Sequence, residues 1–175
     1  MAKLVGLSGS LRKASLNSKL MREAARLFEP SEFIEGDLNL PLYSGDIEDQ
    51  GMPENVQRLA DQISAADAVV IATPEYNKGI SGVLKNALDW VSRVEGNPWL
   101  DKPVAILSAT AGRTGGESAQ FNLRLAMVSF RPMILQGPNL YVASASKEFD
   151  EQGRLTNERY AKTLADLMAD LRNRI

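Results

Sequence analysis

Short apolar runs punctuate this chain at intervals typical of strands. They lie at residues 4–7, 33–34, 68–72, 104–107 and 133–142. The third run is continuously apolar, as expected for a strand that is buried on both faces. The last run is interrupted by Gly137-Pro138. The pattern therefore predicts five strands, of which the fifth is broken.

Between these runs, apolar residues recur at the three- and four-residue spacing of amphipathic helices. The predicted helices run from Leu16 to about Glu29, from a first turn at Pro53 to about Ile63, from Ile80 to Val91, over residues 117–128, and from a cap near Thr156 to Leu171. Strand and helix thus alternate along the chain. This alternation favours a parallel sheet with helices on both faces.

Length narrows the choice among parallel α/β folds. The chain has 175 residues, whereas a (β/α)₈ barrel needs about 250. We therefore predict one domain over residues 1–175, a flavodoxin-like doubly wound five-stranded parallel sheet of order 2-1-3-4-5. In such sheets ligands bind beyond the carboxyl ends of the strands, at the switch point. That rule selects the loops after strands 1, 3 and 4.

Composition excludes several kinds of chemistry. The chain has no Cys and no His, so disulfides, thiolate nucleophiles, iron–sulfur clusters and Ser-His-Asp triads are ruled out, and we expect no metal site. A net charge of −2 argues against non-specific nucleic-acid binding. No apolar run reaches the ~18 residues of a membrane span, and Met1-Ala2-Lys3 opens no secretory signal. We expect a cytoplasmic protein whose chemistry comes from a bound cofactor, a carboxylate, a Lys or Tyr, or backbone dipoles.

The loop after strand 1 has the character of an anion site. It leads into a helix N-terminus, where free N–H groups and the helix dipole favour negative charge. Ser10, Ser15 and Asn17 add polar groups, and Arg12 adds a planar charged fork that suits phosphate. The loop matches neither the Walker A nor the G-x-G-x-x-G pattern. The alternative is a plain helix cap beside a solvated Arg-Lys pair.

The loops after strands 3 and 4 are less distinctive. Residues 73–79, fixed by Pro74 and ending in Gly79, suit reading the edge of a flat heterocycle with backbone amides, but a simple connector would look the same. Residues 108–116 are small enough for backbone to approach a ring. A flexible glycine-rich turn is an equal alternative for that loop.

Four motifs together are more specific than any one loop. They are GSLRKASLN at 9–17, LPLY at 40–43, PEYN at 74–77 and GVLKNALDW at 82–90. In this order, and at these predicted strand ends, they resemble the NADPH-dependent FMN reductase family. Within that family they look most like the bacterial quinone, chromate and ferric reductases. The specific motifs extend to about Gly116, and the last third is similar by architecture only.

The resemblance implies an FMN site built from residues of all three loops. Ser10, Arg12, Ser15 and Asn17 would hold the phosphate, with Leu11 and Leu16 contributing backbone or wall. The isoalloxazine would lie along Pro74, Glu75, Tyr76 and Asn77. Ser108 and Ala109 would meet the flavin or its ribityl chain. No side chain is expected to be catalytic, because flavin N5 carries the chemistry.

The implied activity is hydride transfer from NADPH or NADH through FMN to a small acceptor. Quinones, chromate, ferric chelates, azo compounds and free flavin all stay open as acceptors. So does the question of whether FMN is a prosthetic group or a substrate. Arg93 and Arg113 are weak candidates for a 2′-phosphate contact, and the role of Lys78 is open. Ser81, where relatives often have Pro, is expected to cap the third long helix.

Family members are dimers or tetramers with the flavin near a subunit interface, which implies a homo-oligomer here. Trp90 and Trp99 are candidates for that interface, although a core position is as plausible for Trp90. A non-catalytic flavodoxin-type electron carrier is the alternative function. Such carriers are usually strongly acidic, and −2 is a poor match. A response-regulator-like module would need clustered acids at the ends of strands 1 and 3, where this chain has Gly, Ser, Thr and Pro.

Overall fold

A computed structural model describes residues 2–175 as alternating strands and helices. The strands are β1 Lys3–Ser8, β2 Glu32–Gly36, β3 Ala68–Thr73, β4 Pro103–Ala109, β5 Met133–Ile134 and β6 Leu140–Val142. The α-helices are α1 Leu16–Phe28, α2 Gly45–Glu48, α3 Glu54–Ala65, α4 Gly82–Val91, α5 Glu117–Met127 and α6 Glu158–Arg172. Short 3₁₀ turns follow α5 and β6. The four-residue helix α2 is an addition to the predicted elements.

All strand pairs in the sheet are parallel, and the strand order is β2-β1-β3-β4-β5. This order confirms the predicted fold class. The predicted fifth strand forms two pieces that both pair with β4. Ile134 of β5 lies opposite Val104 near the start of β4, and Tyr141 of β6 lies opposite Ser108 near its end. The interruption at Gly137-Pro138 separates the pieces.

Two apolar layers cover the two faces of the sheet, and successive side chains of β3 pack alternately into one and the other. Val69 and Ile71 lie in the layer formed with α3, α4 and α5. Ala68, Val70 and Ala72 lie in the layer formed with α1 and α6. Because successive side chains of a strand point to opposite faces, a strand covered on both sides must be apolar throughout. The predicted apolar face of the closing helix is in the second layer, through Leu164, Leu167, Met168 and Leu171.

Both tryptophans belong to the interior. Trp90 is 0% exposed and Trp99 is 3% exposed, so the expectation that Trp99 serves a subunit interface is wrong, and Trp90 has its alternative, core position. The Trp90 indole N–H donates to the Pro41 carbonyl at 2.7 Å. Asn86, one turn earlier on α4, donates to the same carbonyl and accepts from the Tyr43 N–H. The motif at 82–90 therefore fastens the motif at 40–43.

Side-chain caps define where several helices start. Ser15 caps α1, and Ser81 caps α4 as predicted. Asn157, one residue after Thr156 and so within the predicted cap region, caps α6, because its amide oxygen accepts from the N–H groups of Arg159 and Tyr160. Pro53 lies at the cap position of α3 rather than in its first turn. Among residues 2–175, none of the helices combines the length and the apolar character that crossing a membrane requires.

Candidate active site

A cleft of about 370 Å³ opens at the carboxyl ends of β1, β3 and β4. This volume lies within the range of small-molecule sites. The cleft is lined by Ser10, Arg12, Ala14, Ser15, Leu16, Asn17, Pro74, Glu75, Tyr76, Ala109, Thr110, Ala111, Gly112 and Thr114. The wall thus brings together all the residues expected from sequence except Leu11, Asn77 and Ser108.

The start of α1 presents unpaired donors to this cleft. Within residues 2–175, the N–H groups of Leu16 and Asn17 have no hydrogen-bond acceptor. The Ser15 side chain accepts from the Ser18 N–H at 3.2 Å, which leaves its hydroxyl proton free to donate. Arg12 is exposed, and no carboxylate in the described part of the chain pairs with it. This arrangement suits a dianionic group.

Asn17 joins the loop after β1 to the end of β4. Its amide donates to the Ala109 carbonyl at 2.9 Å, and its amide oxygen accepts from the Ala109 N–H at 3.0 Å. The side chain is buried, with 4% exposure. Because the Asn17 carboxamide is engaged with this backbone, the main-chain N–H of Asn17 is the donor that remains unpaired at the cleft.

A second link ties the loop after β1 to α4. The Ser81 hydroxyl donates to the Gly9 carbonyl at 2.6 Å and accepts from the Leu84 N–H at 3.2 Å. One side chain therefore caps α4 and holds the start of the loop after β1. Ser81 itself is not among the residues that line the cleft.

The loop after β3 ends in a tight two-residue turn. Tyr76 and Gly79 exchange two backbone hydrogen bonds of 3.0 Å, with Asn77 at φ 51° and Lys78 at φ 67° between them. Asn tolerates this left-handed region better than most residues. The turn is fastened to α5, because the Asn122 amide donates to the Lys78 carbonyl at 3.2 Å. Asn77 therefore lies in the turn, away from the cleft wall, while Pro74, Glu75 and Tyr76 face the cleft.

Glu75 uses its carboxylate to cap α5. Gly116 occupies the cap position of α5 and has no side chain to offer. The Glu75 Oε2 accepts instead from the Ala119 N–H at 3.1 Å, while Lys78 Nζ lies 3.7 Å from Oε1. The Glu75 side chain is only 12% exposed. A negative charge at a helix N-terminus is favourable, and both oxygens of this carboxylate have partners within the protein.

Two glycines end the loop after β4 and let it press against the sheet. Gly115 and Gly116 have φ of +64° and +93°. A Cβ on Gly115 would come within 2.5 Å of the Tyr141 backbone, and one on Gly116 within 2.7 Å of Ser108 Cβ. Both positions therefore require glycine. Burial raises the pKa of Tyr141, with Glu117 acting in the same direction, so this phenol beside the loop stays neutral.

Comparison with known proteins decides the family. The model of a family described as NADPH-dependent FMN reductase matches residues 2–147, which is well over half of the chain. This chain belongs to the NADPH-dependent FMN reductase family. The match confirms the resemblance seen in the four motifs and the reaction class that goes with it, an NAD(P)H-dependent FMN oxidoreductase.

Curated relatives agree with this membership of the FMN reductase family. An NAD(P)H-dependent FMN reductase of Pseudomonas aeruginosa is 46% identical over 159 residues, which cover 90% of this chain and 86% of the relative. A quinone reductase of Escherichia coli K12 is 37% identical over 153 residues, covering 85% and 81%. Among solved structures, a flavoenzyme NAD(P)H:(acceptor) oxidoreductase of Paracoccus denitrificans has a TM-score of 0.89 at 34% identity, covering 99% and 96%.

The cleft of this FMN reductase family member fits the cofactor on its own geometry. FMN combines one phosphate with a flat ring. The unpaired N–H groups of Leu16 and Asn17, with Arg12, suit a phosphate, and the same cleft is lined by Pro74 and by the small residues of the loop after β4, which leave room for a ring. No cluster of acidic side chains in residues 2–175 has the makings of a metal site.

Five residues on the cleft wall were not assigned from the sequence. They are Ala14, Thr110, Ala111, Gly112 and Thr114. The signal for the last four was the Gly-, Ala- and Thr-rich composition of the loop, which marked the segment but not its members. Arg93 forms an ion pair with Glu48 of α2 at 3.0 Å. Arg113 is exposed between two wall residues, Gly112 and Thr114.

Proposed function

We propose that this chain binds FMN in the cleft, accepts hydride from NAD(P)H and delivers the electrons to a quinone-type acceptor. The observation that carries the proposal is the start of α1, where two unpaired N–H groups and an unpaired Arg12 meet a cleft of ligand size. Membership of the FMN reductase family supports the same ligand. The Escherichia coli relative named quinone reductase supports the acceptor class.

Separate sets of residues would hold the two ends of the cofactor. The phosphate would lie against Ser10, Arg12, Ser15 and the N–H groups of Leu16 and Asn17. The ring would lie between the wall of Pro74, Glu75 and Tyr76 and the loop that begins at Ala109. In this arrangement the chain binds and orients the ring at one open face, where nicotinamide and acceptor can stack.

Catalytic side chains are not needed for this activity. When bound, FMN supplies hydride acceptance and electron transfer itself. The protein contributes fixed dipoles and a defined distance between ring and substrate. The absence of His and Cys from the sequence is compatible with that division. Whether NADPH or NADH is preferred depends on groups at the rim, where Arg113 is an exposed cation between the wall residues Gly112 and Thr114.

We also propose a homo-oligomer, either a dimer or a tetramer. Phe121, Leu125 and Val128 follow one another at helical spacing on the outer face at the end of α5, and are 58%, 74% and 67% exposed. Contiguous exposed apolar stripes are unusual on monomers. A Leu125→Glu variant should shift the mass measured by light scattering toward the monomer, and an unchanged mass would remove this face from consideration. Use of NAD(P)H as reductant supports a cytoplasmic location.

Absorbance and steady-state kinetics test the proposed activity. The purified protein should bind FMN with a flavin spectrum and quench its fluorescence. Turnover of NADPH with a benzoquinone should give parallel initial-rate lines, because one ring face serves both substrates in turn. Flavin binding without turnover would favour the electron-carrier alternative. Failure to bind FMN would refute the proposal.

A further inference from the structure

Ser108 and Gln120 form a buried polar chain directly behind the loop after β4. Ser108 is 0% exposed and Gln120 is 1% exposed. The Gln120 amide nitrogen donates to Ser108 Oγ and to the Leu140 carbonyl, each at 2.8 Å. The Ser108 hydroxyl then donates to the Gly115 carbonyl at 2.6 Å. The chain of bonds thus runs from α5 through β4 to the far end of the cleft loop.

These side-chain bonds act on the end of a segment whose beginning and middle are held by backbone hydrogen bonds. Thr110 exchanges backbone bonds with Val142 and Ala145, and the Gly112 carbonyl accepts from the Ser144 N–H. The loop end at Gly115 is held to β4 by the Ser108 hydroxyl. Because a Cβ on Gly116 would come within 2.7 Å of Ser108 Cβ, the position of Ser108 and the path of the loop depend on each other.

Burying Gln120 at this position lowers the stability of the fold. No donor in residues 2–175 reaches the Gln120 amide oxygen, which is fully buried. An unpaired buried oxygen is unfavourable, and an apolar side chain of similar size would fill the same space without it. A core that served only stability would not need this arrangement. What Gln120 adds is two aligned donors, one of which orients the Ser108 hydroxyl.

We propose that Ser108 and Gln120 are positioning residues of the cofactor site, which act through the Gly115 carbonyl to hold residues 109–116 in the conformation that faces the flavin ring. Neither side chain lines the cleft, so direct contact with flavin is not part of this role. The inference rests on the proposed FMN binding. It assigns the ring end of the cofactor to this network and the phosphate end to the start of α1.

Flavin titrations of variants separate these two ends. Ser108→Ala should raise the dissociation constants of FMN and of riboflavin alike, by about five- to tenfold, which corresponds to roughly one hydrogen bond. Gln120→Met should do the same, and the double variant should be no worse than either single one, because both act through one carbonyl. Flavin dissociation should be faster in each variant. Arg12→Ala, by contrast, should affect FMN and spare riboflavin.

A core variant with no connection to the cleft controls for general destabilisation. Ile63 is fully buried near the end of α3, which precedes β3 and so lies at the amino end of the sheet. Ile63→Val should lower the urea midpoint of the flavin-free protein and leave both flavin affinities unchanged. If Ser108→Ala does not fold, Gln120→Met carries the test alone.

Wild-type affinity for both flavins in the folded Ser108→Ala and Gln120→Met proteins would overturn the proposal. So would a loss restricted to FMN, which would place the network at the phosphate. If flavin affinity falls no further in these variants than in an Ile63→Val protein of equal stability, the network has only a structural role. Failure of the wild-type protein itself to bind either flavin is a separate result, and it would refute the proposed function.

Discussion

The loop after β1 and the loop after β4 form the same cleft by opposite means. The first loop turns its polar groups outward, with Arg12 exposed and the N–H groups of Leu16 and Asn17 unpaired. The second turns its polar backbone inward, and Thr110, Gly112 and Gly115 are all tied to the protein behind them. The first loop is arranged to meet a charge, and the second to present a fixed surface.

This difference separates two kinds of recognition. A charged group is bound by donors that stay available, so the relevant residues are adjacent in the chain and can be recognised there. A flat ring needs a wall that does not move, and its rigidity comes from residues outside the wall. Changes at the two loops should therefore have different signatures, one dependent on the phosphate and one independent of it.

The largest effect should come from Gly116→Ala in the second loop. At φ +93°, with a Cβ placed 2.7 Å from that of Ser108, backbone strain and overpacking should lower the free energy of unfolding by about 3 kcal/mol or more. Affinity for both flavins should fall with it. Urea denaturation of the flavin-free protein measures the first effect, and fluorescence titration the second.

A glycine in open space provides the matched control for that change. Apart from the adjacent residues and the backbone of its own helix, no heavy atom lies within 4 Å of a Cβ built on Gly82, at the start of α4. Gly82→Ala should stabilise the protein by about 0.4–1 kcal/mol. Equal losses from both substitutions would mean that the close approach at Gly116 is not what constrains the loop.

Asn17→Ala should break the link between the two loops. It removes both bonds to Ala109 and leaves a buried N–H and carbonyl unpaired, at a cost of about 1–3 kcal/mol. Because the loop after β1 is then no longer fastened to the end of β4, FMN and riboflavin should both bind more weakly. Isothermal titration with each flavin checks this expectation. A loss for FMN alone would mean that the bond serves only the phosphate end.

Arg12→Ala should give the phosphate-dependent signature. A charge-assisted hydrogen bond is worth about 1.5–3 kcal/mol, so the FMN dissociation constant should rise by about one to two powers of ten. Riboflavin binding and turnover at saturating FMN should stay near wild type. Lys13→Ala, at the adjacent exposed cation outside the cleft wall, controls for net charge. Equal losses for the two flavins would place Arg12 at the ring.

The smallest effect should come from Ser15→Ala, compared with Asn157→Ala. Each removes a helix cap and should cost about 1 kcal/mol of stability. Only Ser15 borders the cleft, so only Ser15→Ala should also weaken FMN binding, by about fivefold for one hydrogen bond. Thermal melts and FMN titrations of the pair measure both quantities. Parallel behaviour of the two variants would exclude the Ser15 hydroxyl from the site.

The sheet order and most of the residues that line the cleft at the start of α1 were predictable because their signals are local. Alternating apolar runs and helical periods determine the layers. Arg12 and the cap residue Ser15 lie within a few positions of each other, and this local pattern predicts an anion site.

The supports of the site were not predictable, because their partners are remote. Asn17 contacts Ala109 across 92 positions, and Glu75 reaches Ala119 across 44. The family resemblance implied that Ser108 would meet the flavin or its ribityl chain, whereas its hydroxyl donates to the Gly115 carbonyl. No periodicity indicates that a glutamine on α5 is buried, since such a residue is normally assigned to the outer face of a helix.

The divided edge of the sheet bears on how the protein behaves at high concentration. Beyond β4, the sheet ends in a two-residue strand and a three-residue strand, separated by a segment that contains Pro138. Intermolecular strand addition needs a long row of free backbone donors and acceptors. A proline has no N–H to donate, and strands this short offer few backbone groups with which a strand of another molecule can pair. The break that obscures the fifth strand in the sequence thereby protects this border against fibrous self-association.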